Sequence, residues 1–436
     1  MTNENRTKDE RVLADPTPEQ DVAVSDFTPQ PQQEPLRPEL IEATIEKLVY
    51  GGEGLARVNG RVVLVPFVLP GEDVLVEAGA VRKDVLRGRL VEIKTASPQR
   101  IKPECPYFTR CGGCHYQHAE YAYQLEQKVQ ILREVFERVG RIDIPGEIQI
   151  VSAEPYAYRN RTQFHIDGFK IGYLGAGSHN VVKADVCPIS SPTINRVLKA
   201  LHGMRRSKRF PYFLRSVEVF TDEKQVQLNV LETERPIAKA FFEWAAQEIE
   251  GLVSGPIDYD AAGFRFRVSH KSFFQVNRFL IDRLVETAIK PLSGRTVLDL
   301  YAGVGLFSIP LARMIPEVIA VESSASAVDD LAFNADRAGV KVKAVKSGVE
   351  QFLAGFEGEA QAILADPPRS GLGPQAVRQL LRVKAPKLVI VACDPATLAR
   401  DLKALTAGGY RLEQVTFIDL FPQTYHLETI VQLSAI

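Results

Sequence analysis

Five cysteines stand in the 436-residue chain, and their placement divides them into a group of four and a single one. Cys105, Cys111 and Cys114 are spaced C-x5-C-x2-C in CPYFTRCGGC, and Cys187 follows far along the chain in DVCPIS. Four thiolates from two segments can close a tetrahedral zinc site or hold a cubane iron-sulfur cluster. Prolines after Cys105 and Cys187 are familiar around iron-sulfur ligands without being diagnostic. The C-x3-C-x2-C spacing of enzymes that leave one iron open is absent. Three thiols within ten residues, two of them flanking Gly-Gly, make unrelated buried cysteines the weakest reading. His115 and His118 are potential ligands, but four cysteines leave no place to fill, so a surface role is their plainer assignment.

The fifth cysteine, Cys393, ends the apolar run KLVIVAC and is followed by Asp394-Pro395, which reads as the N-cap and first residue of a helix. Backbone N–H groups and the positive helix end are expected to lower its thiol pKa toward neutrality, with Asp394 opposing this if it points at the sulfur. Position alone favours the plainer role, a small side chain packed at the end of a buried strand.

A second constellation lies in VLDLYAGVGLFSIPLA, residues 297–312: a strand, an acid, a glycine turn and the start of a helix. Gly303 and Gly305 would let backbone approach a ligand at the helix N-terminus. A dinucleotide site would carry a third glycine where this chain has Ser308. The next strand ends in Val321-Glu322, placing a carboxylate where it can accept from both hydroxyls of a ribose. The pattern favours S-adenosylmethionine, with NAD as the competing cofactor. A later strand ends in Asp366-Pro-Pro-Arg369; methyltransferases acting on exocyclic amines have an aromatic residue in place of the arginine, so ring-carbon chemistry gains support.

The elements that must position these residues fall into four regions. Residues 1–38 are rich in Pro, Gln, Asp and Glu and read as a disordered tail. Residues 39–97 alternate in short runs broken by GGEG, NG and PGED, the pattern of a small OB-like β-barrel. Residues 98–265 hold the cysteines, a helical stretch YAYQLEQKVQILREVFERVG and basic clusters at 159–161 and 205–209, a central α+β domain. Basic residues interleaved with aromatics suit a phosphate-tracking surface, although a solvated basic face is the plainer alternative. Residues 266–436 alternate strands and helices as an α/β, doubly wound, Rossmann-like sheet of seven strands, with ligands expected at the C-terminal strand ends.

Bulk properties agree with a folded protein of several domains. Apolar residues make up 45% and charged residues 25%, and the net charge of -1 does not advertise a nucleic-acid binder, so any such surface must be local. No run of about eighteen apolar residues offers a membrane span, and the polar N-terminus lacks a signal-peptide core. A cytoplasmic, reducing setting, no membrane partner, no obligate protein partner and a monomer are the expectations.

Together these pieces resemble the RNA 5-methyluridine (uracil-C5) methyltransferases, and more closely the branch carrying a TRAM domain and a [4Fe-4S] cluster. The carriers are the β-domain at 39–97, CPYFTRCGGC with Cys187, FFQVN at 273–277, LDLYAGVGLF, DPPR, ACDPATLARDL and HLET. The resemblance implies methyl transfer from S-adenosylmethionine to C5 of a uridine in structured RNA, ribosomal RNA (23S) ahead of transfer RNA. It implies cofactor contacts by Gln275, Tyr301, Glu322 and Asp366, cluster ligation by Cys105, Cys111, Cys114 and Cys187, Cys393 as nucleophile and Glu428 as proton acceptor. Some members have Asn after the second glycine where this chain has Leu306, so that contact is missing.

The chemistry suits the residues. C5 of uracil is too weak a nucleophile to attack a sulfonium methyl unaided; a thiolate adding to C6 makes it an enolate carbon. A carboxylate can then remove the C5 proton. Without the resemblance, Glu428 reads as an outward-facing residue of an edge strand, and His426, two residues away, is a rival base expected on the same strand face. Flipping of the target base is expected. Two other readings stay open at this stage: a metal-stabilised RNA-binding protein without catalysis, and a cytosine C5 methyltransferase, which typically presents its nucleophile as Pro-Cys.

Overall fold

The computed structural model describes residues 39–436, so the tail expected over 1–38 lies outside the described residues. The chain begins with β1 (Leu40–Thr44), β2 (Lys47–Leu48), β3 (Glu53–Val58), β4 (Arg61–Pro66), β5 (Asp73–Arg82) and β6 (Val85–Thr95). They form one sheet in the order β1-β5-β6-β4-β3-β2, curled so that β1 also meets β3. Asn59-Gly60, both at positive φ, make the two-residue turn from β3 to β4, the backbone that matches strand twist. Alternate residues point inward, and Ala56, Val63, Val65, Val74, Val76 and Leu86 fill the small core.

The cysteine-rich segment leads into α1 (Tyr121–Val135), a short π-helical turn (Phe136–Gly140) and β7 (Gln149–Val151). Then come β8 (Arg161–Asp167), β9 (Lys170–Leu174), β10 (Val181–Lys183), α2 (Pro192–Met204), β11 (Leu214–Thr221), β12 (Val226–Thr233) and α3 (Lys239–Glu248). These strands form an antiparallel sheet, β10-β9-β8-β11-β12, whose apolar face packs with α2 and α3 through Phe164, Leu198, Val217 and Trp244. A hairpin, β13 (Ile257–Ala261) and β14 (Phe264–Val268), follows.

The C-terminal region runs α4 (Ile281–Ile289), β15 (Thr296–Leu300), α5 (Ser308–Leu311), β16 (Glu317–Glu322), α6 (Ala325–Ala338), β17 (Val342–Lys346), α7 (Val349–Ala354), β18 (Ala362–Ala365), α8 (Gly373–Val383), β19 (Lys387–Ala392), α9 (Pro395–Ala407), β20 (Tyr410–Ile418) and β21 (Glu428–Ala435). Its sheet has the order β17-β16-β15-β18-β19-β21-β20-β7. β15 to β19 are mutually parallel, while β21 enters antiparallel between β19 and β20. With both faces covered, the central strands are buried along almost their whole length rather than alternating.

Two differences from the sequence reading have physical causes. The sheet has eight strands, because β7 from the middle of the chain pairs parallel with β20. The boundary drawn at 265/266 falls inside β14, and Phe266 and Val268 pack into the same core as Phe274, Leu284 and Val391. The middle third is likewise divided. Ile131, Leu132 and Phe136 join the core under the large sheet, with Leu48 of the β-barrel beside them. Among the described residues no helix is long and apolar enough to cross a membrane.

Candidate active site

The C-terminal ends of β15, β16, β18 and β19 carry the residues singled out in the sequence. After β15 the chain turns through Tyr301 (φ 62), Gly303 (φ 54) and Gly305 (φ 91). The two glycines differ in what surrounds them. A Cβ on Gly303 would meet nothing within 4 Å, whereas one on Gly305 would press on Ile309 and Leu331 at 3.2 Å. Gly303 therefore offers open backbone to a ligand, and Gly305 serves packing of α5 and α6 against the turn, a correction to the paired role expected for them.

Gln275, Tyr301, Gly303 and Asp366 line one cleft of about 330 Å³, open mouth included, together with Phe273, Phe274, Ala302, Val304, Leu306 and Phe307. Glu322 braces its rim: the carboxylate accepts from the Gly303 N–H at 3.0 Å and the Ser324 N–H at 2.7 Å. Of the FFQVN run, Phe274 is core, and Asn277 holds backbone by donating to the Leu420 carbonyl at 3.1 Å. Gln275 is buried at the cleft, well before α4 begins, and Phe273 stands 62% exposed beside it.

Asp299, the penultimate residue of β15, was legible only as the acid before the glycine turn. It is fully buried and accepts from the Ser308 hydroxyl, while its Oδ1 has no hydrogen-bond partner. Burial pushes its carboxyl up to about 7, and burial with the neighbouring Asp299 does the same for Asp366. An apolar cleft lined by Asp366, with Asp299 and its orphaned oxygen buried next to that acid, fits a cationic ligand such as S-adenosylmethionine, with Gln275, Tyr301, Gly303 and Asp366 as lining.

Cys393 follows β19 directly and is half-buried. The register between β19 and β21 pairs Ala392 with Thr429, so one step further Cys393 stands opposite Glu428. Glu428 is 5% exposed and opens β21, an interior strand, so the outward-facing edge position is excluded. Burial raises its carboxyl well above the ordinary value; Asp366 adds to this and Arg369 opposes it. His426 precedes β21 rather than lying on it, its ring tilted 39° against that of Tyr425 at 4.3 Å between centroids. Burial, with Arg369, His115 and other cations, lowers its pKa to about 4.

The expectation of a thiol brought toward neutrality by the helix end is overturned. Asp394 is indeed the N-cap of α9, and its Oδ1 takes the N–H groups of Ala396 at 3.0 Å and Thr397 at 2.9 Å. Those donors are spent on the cap. Burial first, then the negative charges of Glu428, Asp366 and Asp394, push the Cys393 thiol up to about 12, with only Arg369 opposing. Asp394 Oδ2 accepts a further bond, from the hydroxyl of Tyr50 in the β-barrel at 3.0 Å.

The other four cysteines are all free and line one cavity, about 470 Å³ including its mouth, with Tyr107, Phe108, Tyr173 and Ile189 among its walls. Burial and mutual repulsion raise the thiols of Cys111, to about 11, and Cys114; burial leads for Cys105 too. Among the described residues no group of three His, Cys, Asp or Glu side chains is arranged to hold a metal ion. His115 and His118 are held elsewhere: the His115 ring packs on Tyr425, and His118 lies 3.4 Å from the Val68 carbonyl through its Nε2.

Comparison with known proteins adds three findings. Residues 249–436 match the family described as tRNA (Uracil-5-)-methyltransferase, and residues 39–91 match the TRAM domain. Two relatives, each described as an uncharacterized RNA methyltransferase, come from Thermotoga maritima (32% identical, covering 90% of this chain and 99% of the relative) and Aquifex aeolicus (36%, 90% and 98%). The crystal structure of Pyrococcus abyssi tRNA (uracil-54, C5)-methyltransferase in complex with S-adenosyl-L-homocysteine superimposes with a TM-score of 0.74 at 25% identity, covering 90% of this chain and 99% of that one.

Proposed function

This chain belongs to the tRNA (uracil-5-)-methyltransferase family and is an S-adenosylmethionine-dependent RNA methyltransferase; from that premise we propose that it methylates C5 of one uridine through a covalent adduct on Cys393. The observation that supports the reading is the β19–β21 register, which ends at Ala392–Thr429, one residue short of Cys393 and Glu428, together with Asp366, which lines the cleft and acts electrostatically on both groups. An interaction-only role would leave that buried sulfur–carboxyl pair without a purpose.

S-adenosylmethionine supplies an electrophilic methyl on a positively charged sulfur, and that charge favours the ionised forms of Asp366, Glu428 and Cys393 around it. Cys393 Sγ, its proton released to solvent, bonds to C6 of the uracil, and the C5–C6 π electrons move into the C4 carbonyl as an enolate. C5 returns that pair to the methyl carbon, whose bond to sulfur breaks. Glu428 then accepts the C5 proton, the C5–C6 double bond re-forms, and the C6–S bond breaks to release Cys393 as a thiolate. Phe273, exposed at the cleft, offers an apolar face for a flipped base.

For the four cysteines we propose a [4Fe-4S] cluster on Cys105, Cys111, Cys114 and Cys187, supported by their shared cavity. Zinc, held by four sulfurs at about 2.3 Å, is the alternative, and iron, labile sulfide and zinc content of the purified protein decides between them. The cluster's bound charge would stabilise four thiolates that burial otherwise disfavours.

Ribosomal RNA is the proposed substrate, supported by a TRAM domain beside a four-cysteine centre, the combination on which the resemblance to ribosomal RNA enzymes rests. Transfer RNA is the second reading, favoured by the Pyrococcus neighbour, which is described as acting on uracil-54 of tRNA. Methylation of purified 23S ribosomal RNA and of transfer RNA with labelled cofactor, followed by mapping, decides between them. RNA containing 5-fluorouridine should trap a covalent protein–RNA adduct that is lost in Cys393→Ala; methylation without any adduct would sink the covalent route.

A further inference from the structure

The turn between β2 and β3 carries Tyr50, Gly51 and Gly52 of the β-barrel into the catalytic region. Leu48 beside it is buried in the core under the large sheet, and Lys47 pairs with Glu134 at 2.5 Å, so the turn is fixed from both sides. Gly52, at φ 90, lies where a Cβ would stand 3.0 Å from the His115 side chain, which only glycine avoids. Tyr50 at the tip makes two contacts. Its hydroxyl donates to Asp394 Oδ2 at 3.0 Å, and its ring meets the Tyr425 ring edge-on, 5.6 Å between centroids at 87°. Asp394 follows the nucleophile directly, and Tyr425 lies three residues before the base Glu428.

We propose that Tyr50 is a positioning residue of the active site, holding the Asp394 carboxylate on the helix cap and away from the Cys393 sulfur while its ring fixes the loop that delivers Glu428. The β-barrel on this view is part of the reaction apparatus as well as a handle for RNA. The inference rests on Cys393 as the nucleophile.

The physical case is one of hydrogen-bond capacity. Asp394 receives three donors, Ala396 N–H, Thr397 N–H and Tyr50 O–H, and a carboxylate so occupied has less to offer a neighbouring S–H. The charged groups facing Cys393 are Glu428, Arg369, Asp366 and Asp394, with the Tyr50 phenol next to the last. Removing the phenol oxygen frees Oδ2 to turn toward the sulfur, where it opposes thiolate formation. A hydrogen bond to a charged group is strong enough for its loss to change a rate about tenfold.

Tyr50→Phe keeps the ring packing and removes only the donor. Turnover and the rate of adduct formation with 5-fluorouridine RNA should fall about tenfold, with RNA affinity unchanged and the melting temperature lowered by at most a few degrees. Peptide-resolved alkylation of Cys393 at fixed alkaline pH should slow by a similar factor. Placed on an Asp394→Asn background, Tyr50→Phe should have no further effect, since the two act through one bond. Wild-type rates in Tyr50→Phe, additive effects in the double variant, or a loss confined to RNA affinity would each overturn the proposal. If the wild-type protein forms no adduct at all, the covalent reading has failed, while the alkylation rates still report whether Tyr50 governs Cys393.

Discussion

The two sulfur centres of this molecule share a problem and solve it differently. At Cys114 and at Cys393 burial makes the thiolate costly. Around Cys114 the next contributors that raise the thiol are other thiols, and it is there that the proposed cluster would supply a lasting positive charge. Around Cys393 they are carboxyls, Glu428, Asp366 and Asp394, with Arg369 on the opposing side. There, on the proposed mechanism, the compensating charge would arrive and leave with the methyl donor. On the proposed mechanism, a resting thiol that stays protonated would be protected from oxidation and stray alkylation and become nucleophilic only once the cofactor is bound.

The sharpest way to break that contrast is to remove one sulfur from each centre. Cys393→Ala should abolish methylation to background and leave the melting temperature within a degree or so, since one half-buried thiol is lost. Cys187→Ser should do the reverse in kind: lost iron and sulfide, and a native state weakened on the order of 3 kcal/mol, read by denaturant unfolding. If Cys187→Ser keeps both its metal content and its stability, the four cysteines are not a centre. Next in size is Glu428→Gln, which should cut turnover roughly 10²- to 10⁴-fold while a covalent complex with ordinary RNA accumulates, visible as a shifted band on a denaturing gel.

The smallest effect tests the visiting charge. The Asp299–Asp366 pair is held neutral up to about 7. Carboxyls raised in this way favour the folded protein below their unfolded pKa, and that benefit fades as pH climbs through about 7. A cationic ligand needs the ionised forms, so S-adenosylmethionine should bind about tenfold more tightly at about pH 8 than at about pH 6, whereas S-adenosylhomocysteine, lacking the sulfonium, should change much less. Calorimetry with both ligands checks this, and parallel pH profiles would count against the acid pair as the origin.

Much of this was legible because the strongest signals were local. The strands from TVLDL to ETIVQL declare themselves as apolar runs, and Asp-Pro after Cys393 announced its cap correctly. What the cap does to the thiol was not legible, because it depends on which side chain takes the helix N–H groups. The opposition of Cys393 and Glu428 also lay out of reach. It arises from β21 inserting between β19 and β20, a tertiary choice that no spacing records. The three residues of β7 are too few to carry a period, and Tyr50 sits 343 positions before the nucleophile. Asp299 was visible as an acid, but its orphaned oxygen belongs to the packed interior.

The two ends of the large sheet bear on how the protein behaves at high concentration. Any outer strand exposes unpaired backbone groups that invite another chain to add on. Here one outer strand is β7, only three residues long, laid down beside β20 by the same polypeptide. The other is β17, which turns Lys343 and Lys346 to solvent. One border is too short to template a fibril and the other is guarded by like charge, so the sheet stops at eight strands without needing a neighbouring molecule.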